Sequence, residues 1–258
     1  MASNPQEGIP TIFRGLVLLE YVARAKRPIQ ATEIIEKLGL PKPTVNRILS
    51  QLEEESFLQR EPVKRRYLPG PRARELVLSV MSNDALGAPR HAILQALSDE
   101  IGETCNCTML DGDRTVYFDR VEANWPFRIQ LPVGSRLPLH CTASGKLFLA
   151  YMKPRLRQRL ISATPLKRNT NRSITDPELL LSELKKIKSD GVGVDNEELM
   201  DGMVAIAVPV FNTSNEICFT LAVHAPKVRK SLDELRQYLP SLRSAAASMA
   251  STYCTDKD

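Results

Sequence analysis

A histidine and a cysteine stand next to each other in the segment LPLHCTASGKLFLA, residues 137 to 150, and a serine, a glycine and a lysine follow them. Such residues can form a thiol nucleophile with its base, a loop that binds phosphate, or a site that holds a small molecule without reacting with it. A phosphate loop requires the pattern GxxxxGK[ST]. Here His140 takes the place of the first glycine and Leu147 follows Lys146, so the segment is not a phosphate loop.

The spacing also argues against thiol catalysis by Cys141 with His140 as its base. Neighbouring residues of an extended chain point to opposite faces, and the pattern offers no third group that would orient the base. Thr142 to Ser144 are instead suited to cap a helix that begins with GKLFLAYM. The first backbone N–H groups of such a helix are free to bind a carboxylate. The alternative is a cap that serves only the fold.

The length and composition of the chain are typical of a globular protein with one large domain or two ordinary ones. Of its 258 residues, 43% are hydrophobic and 25% are charged, and the formal net charge is +5. No apolar run is long enough for a membrane span, and the N-terminus lacks the layout of a signal peptide, which predicts a cytoplasmic protein without a membrane partner. The cysteines are scattered and include no CxxC pair, so neither a disulfide framework nor a metal site nor a cofactor is expected.

Three helical patterns stand in the N-terminal part of the chain. The first carries an apolar stripe of Ile12, Leu16, Leu19 and Ala23. The second, ATEIIEKLG, turns three apolar residues inward (Ile34, Ile35 and Leu38) and ends at Gly39. The third has Pro43 in its first turn, where a missing N–H costs nothing. It buries Val45, Ile48, Leu49 and Leu52 at i, i+3, i+4 and i+7.

Two helices joined by a glycine-containing turn predict a helix-turn-helix, because the second helix has a polar outer face rich in donors. A β-hairpin with a basic tip follows, from Phe57–Arg60 through Glu61–Val63 to Lys64–Leu68, as in a wing. Residues 40 to 74 contain eight Lys or Arg and four Glu. This order of elements predicts binding to double-stranded DNA, although helix–helix–hairpin units also bind proteins.

The predicted DNA contacts divide by their chemistry. Asn46 and Arg47 are the best candidates to read base edges, whereas Lys42, Arg65 and Arg66 are expected to contact phosphates. The full predicted set is Lys42, Pro43, Thr44, Asn46, Arg47, Ser50, Lys64, Arg65 and Arg66.

The rest of the chain mixes helices and strands without strict βαβ alternation, which predicts an α+β domain with an antiparallel sheet. A helix is expected over 71–84, and Gly87-Ala88-Pro89 is expected to break the chain after it. We therefore predict a winged helix-turn-helix DNA-binding domain at 8–70, a linker helix at 71–86, and an effector-binding and oligomerisation domain at 87–258.

Inside the larger domain, TCNCTML and TVYFDRV predict two strands joined by a turn at Asp111-Gly112-Asp113. MVAIAVPVF and EICFTLAVHAP predict two more. Thr175 and Glu178 fit a capping box for a helix that ends at Gly191. Pro240 is expected to interrupt or kink the last helix.

From Thr11 to Tyr253 the sequence resembles the IclR-type bacterial transcriptional regulators. The motifs that carry the resemblance stand in one order: LGLPKPTVNRILSQLEEESFL, LDGDRTVYFDRVE, VGSRLPLHCTASGKLFLA, RSITDPELL and DGVGVDNEELMDGMVAIAVPVF. The resemblance implies an N-terminal winged helix-turn-helix, a linker helix and a GAF-like α/β effector-binding domain. It also implies homodimers, commonly paired into homotetramers, and a small organic molecule that alters DNA binding.

The resemblance further implies where the effector binds: in the loop before the GKLFLAYM helix, in the acidic DNEE loop, and on the last two strands. The corresponding residues here are Ala143, Ser144, Asp195, Met203, Ala205, Ala222 and His224. Some members of the family carry small hydroxyl residues where this chain has Ala222 and His224. We therefore expect a carboxylate effector with an apolar body, for which an aromatic ring is one option, and we expect His224 to pair with the acid as a titratable donor.

Several of these residues have a second interpretation. Trp125, Phe127 and Met203 are candidate walls of the effector site, but an aromatic side chain such as Trp125 is more often part of a core or interface. Asp195 is expected to accept from a ligand hydroxyl or to repel a second carboxylate, and the alternative is that it caps a turn. Cys105 and Cys107 share a strand face and are expected in the core, with a redox sensor as the alternative.

These patterns predict a ligand-responsive transcription factor, with a repressor as the expected form, that reads a roughly palindromic operator as a dimer or tetramer. No catalytic residue is expected. Two rival hypotheses stay open: an enzyme with a site at His140 and Cys141 that carries a DNA-binding appendage, and an oligomerisation domain without a ligand. The sequence does not name the effector, the operator or the sign of control.

Overall fold

The computed structural model describes residues 10–25, 27–61, 64–81, 83–125 and 131–253, with the side chains of all but residues 84–86 and 253. The chain divides between Val80 and Met81 into two compact units. Each unit has a hydrophobic core of its own.

The first unit contains the predicted helix-turn-helix and the predicted hairpin. Its elements are α1 (Thr11–Arg24), α2 (Ala31–Leu38), α3 (Lys42–Glu54), β1 (Leu58–Arg60) and β2 (Tyr67–Pro69), and α4 (Pro71–Met81) begins after it. β1 and β2 pair antiparallel, with Gln59 opposite Leu68. Gly39 ends α2 in the left-handed conformation that the sequence predicts there, with φ of 62°.

α3 buries the face that its spacing predicts. Val45, Ile48 and Leu49 are buried, and Leu52 packs against them partly buried. Because the apolar side faces the core, Lys42, Asn46, Arg47 and Ser50 stay exposed on the opposite side. The polar outer face of the third helical pattern is therefore confirmed.

The stripe predicted for α1 is wrong at Ile12, Leu16 and Ala23, which are exposed, whereas Leu19 packs partly buried against the core. Ile12 and Leu16 are 71% and 50% exposed, whereas Leu18 and Val22 form the buried side of this helix. α1 is apolar on more than one side, since TIFRGLVLLEYVAR carries hydrophobic residues around most of its circumference. Its periodicity alone therefore could not select the side that packs against α2 and α3.

The second strand of the hairpin starts later than predicted. β2 begins at Tyr67, and Lys64 to Arg66 precede it in irregular structure. Arg65 has a φ of 46°, a left-handed conformation that an extended strand does not contain. Pro62 and Val63, the middle of the predicted turn, lie outside the described residues.

The second unit is built on an antiparallel sheet, as the sequence predicts. Its strands are β3 (Thr104–Asp111), β4 (Arg114–Val121), β5 (Arg136–Pro138), β6 (Gly193–Asn196), β7 (Met203–Phe211) and β8 (Ile217–Pro226), in the order β5-β4-β3-β8-β7-β6. Its helices are α5 (Asp84–Ile101), α6 (Ala143–Tyr151), α7 (Pro154–Ala163), α8 (Pro177–Asp190), α9 (Leu232–Arg236) and α10 (Leu239–Tyr253). None of the described helices is long and apolar enough to cross a membrane.

Helices cover both faces of this sheet. α6 and α8 share a core cluster with Ala207 of β7 and Ala222 of β8. On the other face, the sulfur atom of Cys107 lies 3.9 Å from that of Met249 in α10. Cys105 and Cys107 are both fully buried, as expected of core residues, and burial raises the pKa of both thiols.

The predicted chain break at residues 87–89 is wrong, because α5 continues through Gly87 and Pro89. The interruption lies earlier, between the end of α4 at Met81 and the start of α5 at Asp84. Arg90 of α5 contacts the end of α4 across this turn. Its buried guanidinium donates to the carbonyl of Met81 and to Asp119, each at 2.7 Å. A Cβ on Gly87 would lie 2.7 Å from that guanidinium, so the glycine leaves space for it.

The N-cap of α8 differs from the prediction, whereas its end and the interruption of the last helix agree with it. Asp176 rather than Thr175 caps α8, and its carboxylate accepts from the N–H groups of Glu178 and Leu179 at 2.8 and 2.9 Å. Gly191 ends α8 as predicted. The last helix is interrupted as predicted, since α9 ends at Arg236 and Pro240 is the second residue of α10.

The N-terminus of α6 packs unusually close to the sheet through two glycines. A Cβ on Gly193 of β6 would lie 2.1 Å from the carbonyl oxygen of Ala143, and one on Gly145 would lie 2.4 Å from that of Leu139. Both contacts are to backbone atoms, which cannot rotate away. Only glycine therefore permits this approach of α6 to the sheet.

We expect Gly193→Ala to destabilise the second unit by about 3 kcal/mol or more, because α6 has to move away from β6. Gly15→Ala is the control: in α1 the nearest atom to a new Cβ is 3.9 Å away, so this change should stabilise by about 0.5–1 kcal/mol. Denaturant unfolding of both variants tests this. A Gly193→Ala protein as stable as the parent would contradict the close approach.

Candidate effector and DNA-binding sites

Three strands bring predicted effector residues into one row across the sheet. Asp195 of β6 is opposite Ala205 of β7, and Ala205 is opposite His224 of β8. Residues two apart on a strand share a face, so Met203 and Ala222 stand in neighbouring rows of the same face. The seven predicted effector residues line one cleft, which holds about 580 Å³ of empty space that is partly open to solvent: Ala143, Ser144, Asp195, Met203, Ala205, Ala222 and His224. We name it the sheet cleft.

The N-terminus of α6 presents two open backbone donors to the sheet cleft. Thr142 caps the helix: its hydroxyl oxygen accepts from the N–H of Gly145 at 3.1 Å, and its proton goes to the carbonyl of Pro138 at 2.8 Å. The N–H groups of Ala143 and Ser144 make no hydrogen bond to any described residue, although both residues are buried. Two buried donors at the positive end of a helix are suited to bind an anionic oxygen.

His224 is held in one tautomer by β3. Its Nδ1 lies 3.2 Å from the amide oxygen of Asn106, and the amide nitrogen of Asn106 donates to Thr108 at 2.8 Å, which fixes the amide orientation. Nδ1 therefore carries the proton, and Nε2 is an acceptor. Burial, and then the charge of Arg120, lowers the pKa of His224 to about 3.

This geometry corrects the expectation for His224. A neutral ring whose only N–H is already donated to Asn106 is not a titratable donor for a ligand carboxylate. The ring instead offers a lone pair, which can accept a hydrogen bond from a ligand hydroxyl or N–H group.

Asp195 is a buried carboxyl group that serves the loop after β6. One of its oxygens accepts from the N–H groups of Glu198 and Leu199, at 2.7 and 3.3 Å. The predicted turn-capping role is therefore present. Burial raises the pKa of Asp195 to about 7, with a further rise from the charge of Glu198, while the two N–H groups and Lys146 act in the opposite direction.

The lysine of the Ser-Gly-Lys motif does not line the sheet cleft. Lys146 is fully buried and forms an ion pair with Glu198, and a carboxylate oxygen of Glu183 lies 4.0 Å from its ammonium group. Burial raises the pKa of Glu198, and Lys146 opposes this. The pair ties the first turn of α6 to the acidic loop at residues 195–198, which also contains Asp195.

The candidate thiol site does not have the properties of a nucleophile. Cys141 is fully buried and its sulfur accepts from the amide of Asn169 at 3.2 Å. Burial, together with the charges of Asp195 and Glu198, raises the pKa of the thiol to about 12. His140 donates from Nε2 to the carbonyl of Lys167 at 2.9 Å rather than to the sulfur. Among the described residues, no group of three or more His, Cys, Asp or Glu is placed to hold a metal ion.

One predicted wall of the effector site lies elsewhere. Trp125 does not line the sheet cleft: its indole N–H donates to the carbonyl of Gly102 at 3.1 Å, and Arg229 stacks on its ring at 4.9 Å. Phe127 lies outside the described residues. Met203 does line the cleft.

The sequence interpretation did not identify several lining residues: Asn106, Thr115, Tyr117, Leu131, Leu137, Leu199, Met200 and Val204. Asn106 had a detectable signal, because it is an amide between two cysteines that are expected in the core. The others are ordinary strand and loop residues, which only the register between strands assigns to this face.

In the first unit, most of the predicted DNA contacts are exposed. Lys42, Asn46, Arg47 and Ser50 share the outer face of α3, and Lys64 and Arg65 are exposed before β2. Arg66 differs, since its guanidinium donates to the carboxylate of Glu61 at 2.7 and 2.8 Å. Any contact from Arg66 to a phosphate therefore competes with this ion pair.

We expect Asp195→Asn to change how stability depends on pH. The folded protein holds the Asp195 proton up to a pH of about 7, while the unfolded chain loses it near 4, so this carboxyl weakens the folded state as pH rises between them. Asparagine keeps the acceptor for the two N–H groups and removes the charge. The free energy of unfolding of the variant, relative to that of the parent, should therefore rise by on the order of 2–3 kcal/mol from pH 5 to pH 8. Denaturant unfolding at several pH values measures this change.

Asp201→Asn, at an exposed carboxyl near the same loop, is the control for this experiment. Because Asp201 is exposed, its replacement should change the free energy of unfolding by less than about 0.5 kcal/mol at each pH. A stability difference for Asp195→Asn that does not change with pH would show that Asp195 is ionised throughout this range.

Comparisons with known proteins agree with this arrangement. Residues 11–62 match the family described as the IclR helix-turn-helix domain, and residues 79–251 match the C-terminal domain of the bacterial transcriptional regulator IclR. The chain is 44% identical to the probable transcriptional regulator SauR of Cupriavidus necator. The 241 aligned residues cover 93% of this chain and 96% of that protein. It is 27% identical to the transcriptional repressor IclR of Escherichia coli, over 98% of this chain and 93% of that protein.

Among the solved structures that this chain resembles is one of an inducer-binding domain. It is a double mutant of the inducer-binding domain of the PobR transcription factor from Acinetobacter, in complex with 3-hydroxybenzoic acid. That domain has a TM-score of 0.58 and 28% identity, and the match covers 62% of this chain and 94% of that one.

A helix-turn-helix unit followed by an effector-binding unit defines a transcriptional regulator that binds DNA. The chain belongs to the IclR family of bacterial transcriptional regulators, as the resemblance in its motifs indicates. The matched families and relatives are regulators of transcription and not enzymes.

Proposed function

We propose that this regulator is a repressor that senses a small organic acid in the sheet cleft and binds its operator as a dimer or tetramer. The observation that carries the proposal is that the N–H groups of Ala143 and Ser144, two buried residues at the start of α6, make no hydrogen bond within the described part of the chain. Such donors favour a carboxylate oxygen as their acceptor.

The other walls of the cleft define the rest of the effector. Nε2 of His224 is an acceptor, and Asp195 accepts when it is ionised, so both can bind a hydroxyl group on the ligand. Leu137, Met200 and Met203 offer apolar contact. An acid with a hydroxyl group on an apolar body fits these walls, and the 3-hydroxybenzoic acid bound by the PobR domain combines the same groups.

The proposal also assigns a function to each part of the chain. We assign DNA binding to residues 8–70, the linker to 71–86, and effector binding with oligomerisation to 87–258. Repression is supported by the Escherichia coli relative, which is named a transcriptional repressor. The ligand regulates only if it binds one arrangement of the linked domains better than another.

We expect a hydroxylated aromatic acid such as 3-hydroxybenzoate to stabilise the full-length protein and to change its affinity for operator DNA. A ligand at a hundred times its Kd adds about 2.7 kcal/mol to the free energy of unfolding. Thermal unfolding against a panel of aliphatic and aromatic acids measures the first effect. Fluorescence anisotropy measures the second, with an operator selected by the protein from random-sequence DNA.

Ser144→Trp should abolish the effect of the acid on operator binding, because the indole fills the cleft at the α6 N-terminus. Ser244→Trp, at an exposed position of α10, is the matched control and should keep the effect. If every acid leaves operator affinity unchanged in the parent protein, the sheet cleft is not an acid sensor and the hypothesis of an oligomerisation domain without a ligand replaces it.

The proposed DNA contacts make separate predictions. Arg47→Ala should weaken operator binding by about 1–3 kcal/mol and relax the choice of base at one position, as the loss of a base contact does. Lys64→Ala should weaken binding to all sequences and lower the slope of log affinity against log salt concentration by about 1. Lys153→Ala, at an exposed lysine of the second unit, is the control. Unchanged operator affinity in both test variants would show that Arg47 of α3 and Lys64 of the hairpin do not contact the DNA.

A further inference from the structure

A second cleft lies on the other side of the segment that carries the α6 N-terminus. Pro138, Leu139 and His140 line it, whereas Leu137 and Thr142 to Ser144 line the sheet cleft, and the two clefts share no lining residue. The second cleft holds about 1050 Å³ of empty space, partly open to solvent, between the β3–β4 turn, α6, α7 and the chain after α7. We name it the α7 cleft.

His140 directs an open nitrogen atom to the α7 cleft. The residue is only 4% exposed, and its Nε2 lies 2.9 Å from the carbonyl oxygen of Lys167, which requires the proton on that nitrogen. Its Nδ1 makes no hydrogen bond to any described residue, and His140 lines the cleft. Nδ1 is not among the fully buried unpaired atoms, so it is accessible and can accept a hydrogen bond from a ligand hydroxyl or N–H group.

The mouth of the α7 cleft is basic. Arg114 and Lys167 line it, and Lys167 makes no ion pair with a described residue. Asp113 is the single acidic residue among those that line this cleft, and its nearest distance to Arg114 is 3.9 Å with both side chains well exposed, which is a weak interaction. The inner wall is apolar, with Leu149, Leu160 and Ile161.

We propose that the α7 cleft is a second binding site, for a small organic anion that carries a hydroxyl or N–H group on an apolar body. The anionic group binds between Arg114 and Lys167, the apolar body contacts Leu160 and Ile161, and the donor group reaches Nδ1 of His140. This site is separate from the sheet cleft, so its occupation neither requires nor excludes the effector proposed there.

The test uses ¹⁹F NMR titration of the full-length protein with 4-fluoro-3-hydroxybenzoate. To exclude the sheet cleft, the titration is made in the Ser144→Trp protein and, because that change is buried, also in Ala205→Leu, which fills the same cleft from β7. We expect one bound probe to remain in both variants. A complete loss of binding in both variants, with each protein folded, would overturn the proposal.

Variants in the α7 cleft then locate the remaining site, in the Ser144→Trp or the Ala205→Leu protein. Ala163→Trp, at the exposed end of α7, should weaken probe binding by about tenfold or more because it fills the mouth of the cleft. Lys167→Glu should weaken it by about fivefold or more. The matched controls are Ala247→Trp on the exposed side of α10 and Lys153→Glu, which should leave the affinity unchanged.

The probe itself tests the chemistry of the site. Removal of the hydroxyl group, in 4-fluorobenzoate, should weaken binding about 2- to 10-fold, the usual contribution of one hydrogen bond. Removal of the charge, in 4-fluoro-3-hydroxybenzamide, should weaken it by at least as much as Lys167→Glu. If Ala163→Trp and Lys167→Glu bind the probe as tightly as their controls, the anion binds elsewhere and the α7 cleft is not the site.

Discussion

The close approach of α6 to the sheet is the constraint on which the sites of the second unit depend. Gly193 allows the first turn of the helix to contact β6, and Gly145 allows the chain before the helix to pack back against it. With α6 in this position, the unpaired N–H groups of Ala143 and Ser144 stand over the row formed by Asp195, Ala205 and His224. A helix placed even one methyl group further away would change the depth of the cleft and the distance between its donors and acceptors.

Charge is arranged around this helix so that its positive end stays available. The lysine closest to it, Lys146, is neutralised by Glu198 in the interior and does not enter the cleft. Ser173 donates to the backbone carbonyl of Glu198 at 2.7 Å, which holds the acidic loop in place from the other side. Because the residues that line the sheet cleft include no Lys or Arg and His224 is neutral, the backbone N–H groups are its main attraction for an acid.

The segment from Leu137 to Ser144 is a shared wall with a different chemistry on each side. Toward the sheet it presents backbone donors, and toward α7 it presents a histidine acceptor, with basic side chains nearby. The buried Cys141 between them contacts Asn169 and adds packing rather than reactivity. The chain turns at His140 and Cys141, and their side chains have different partners: the ring of His140 donates to the carbonyl of Lys167, and the sulfur of Cys141 accepts from Asn169.

The sequence by itself determined the elements that depend on local patterns. The buried face of α3, the glycine stops of α2 and α8, the turn between β3 and β4, and the cap at Thr142 follow from spacing and from residues with strong backbone preferences. The motif order also placed the seven candidate effector residues on the elements that form the sheet cleft. Such features are encoded within a few residues of where they act.

Only the tertiary structure decided the features that depend on distant partners. The buried side of α1 was ambiguous, because a helix that is apolar on several sides is oriented only by what packs against it. α5 continues through Gly87 and Pro89, and the next residue, Arg90, contacts Asp119, 29 positions further along the chain. The tautomer of His224 depends on Asn106 of a neighbouring strand, more than a hundred positions earlier, and no local spacing in the sequence specifies that register.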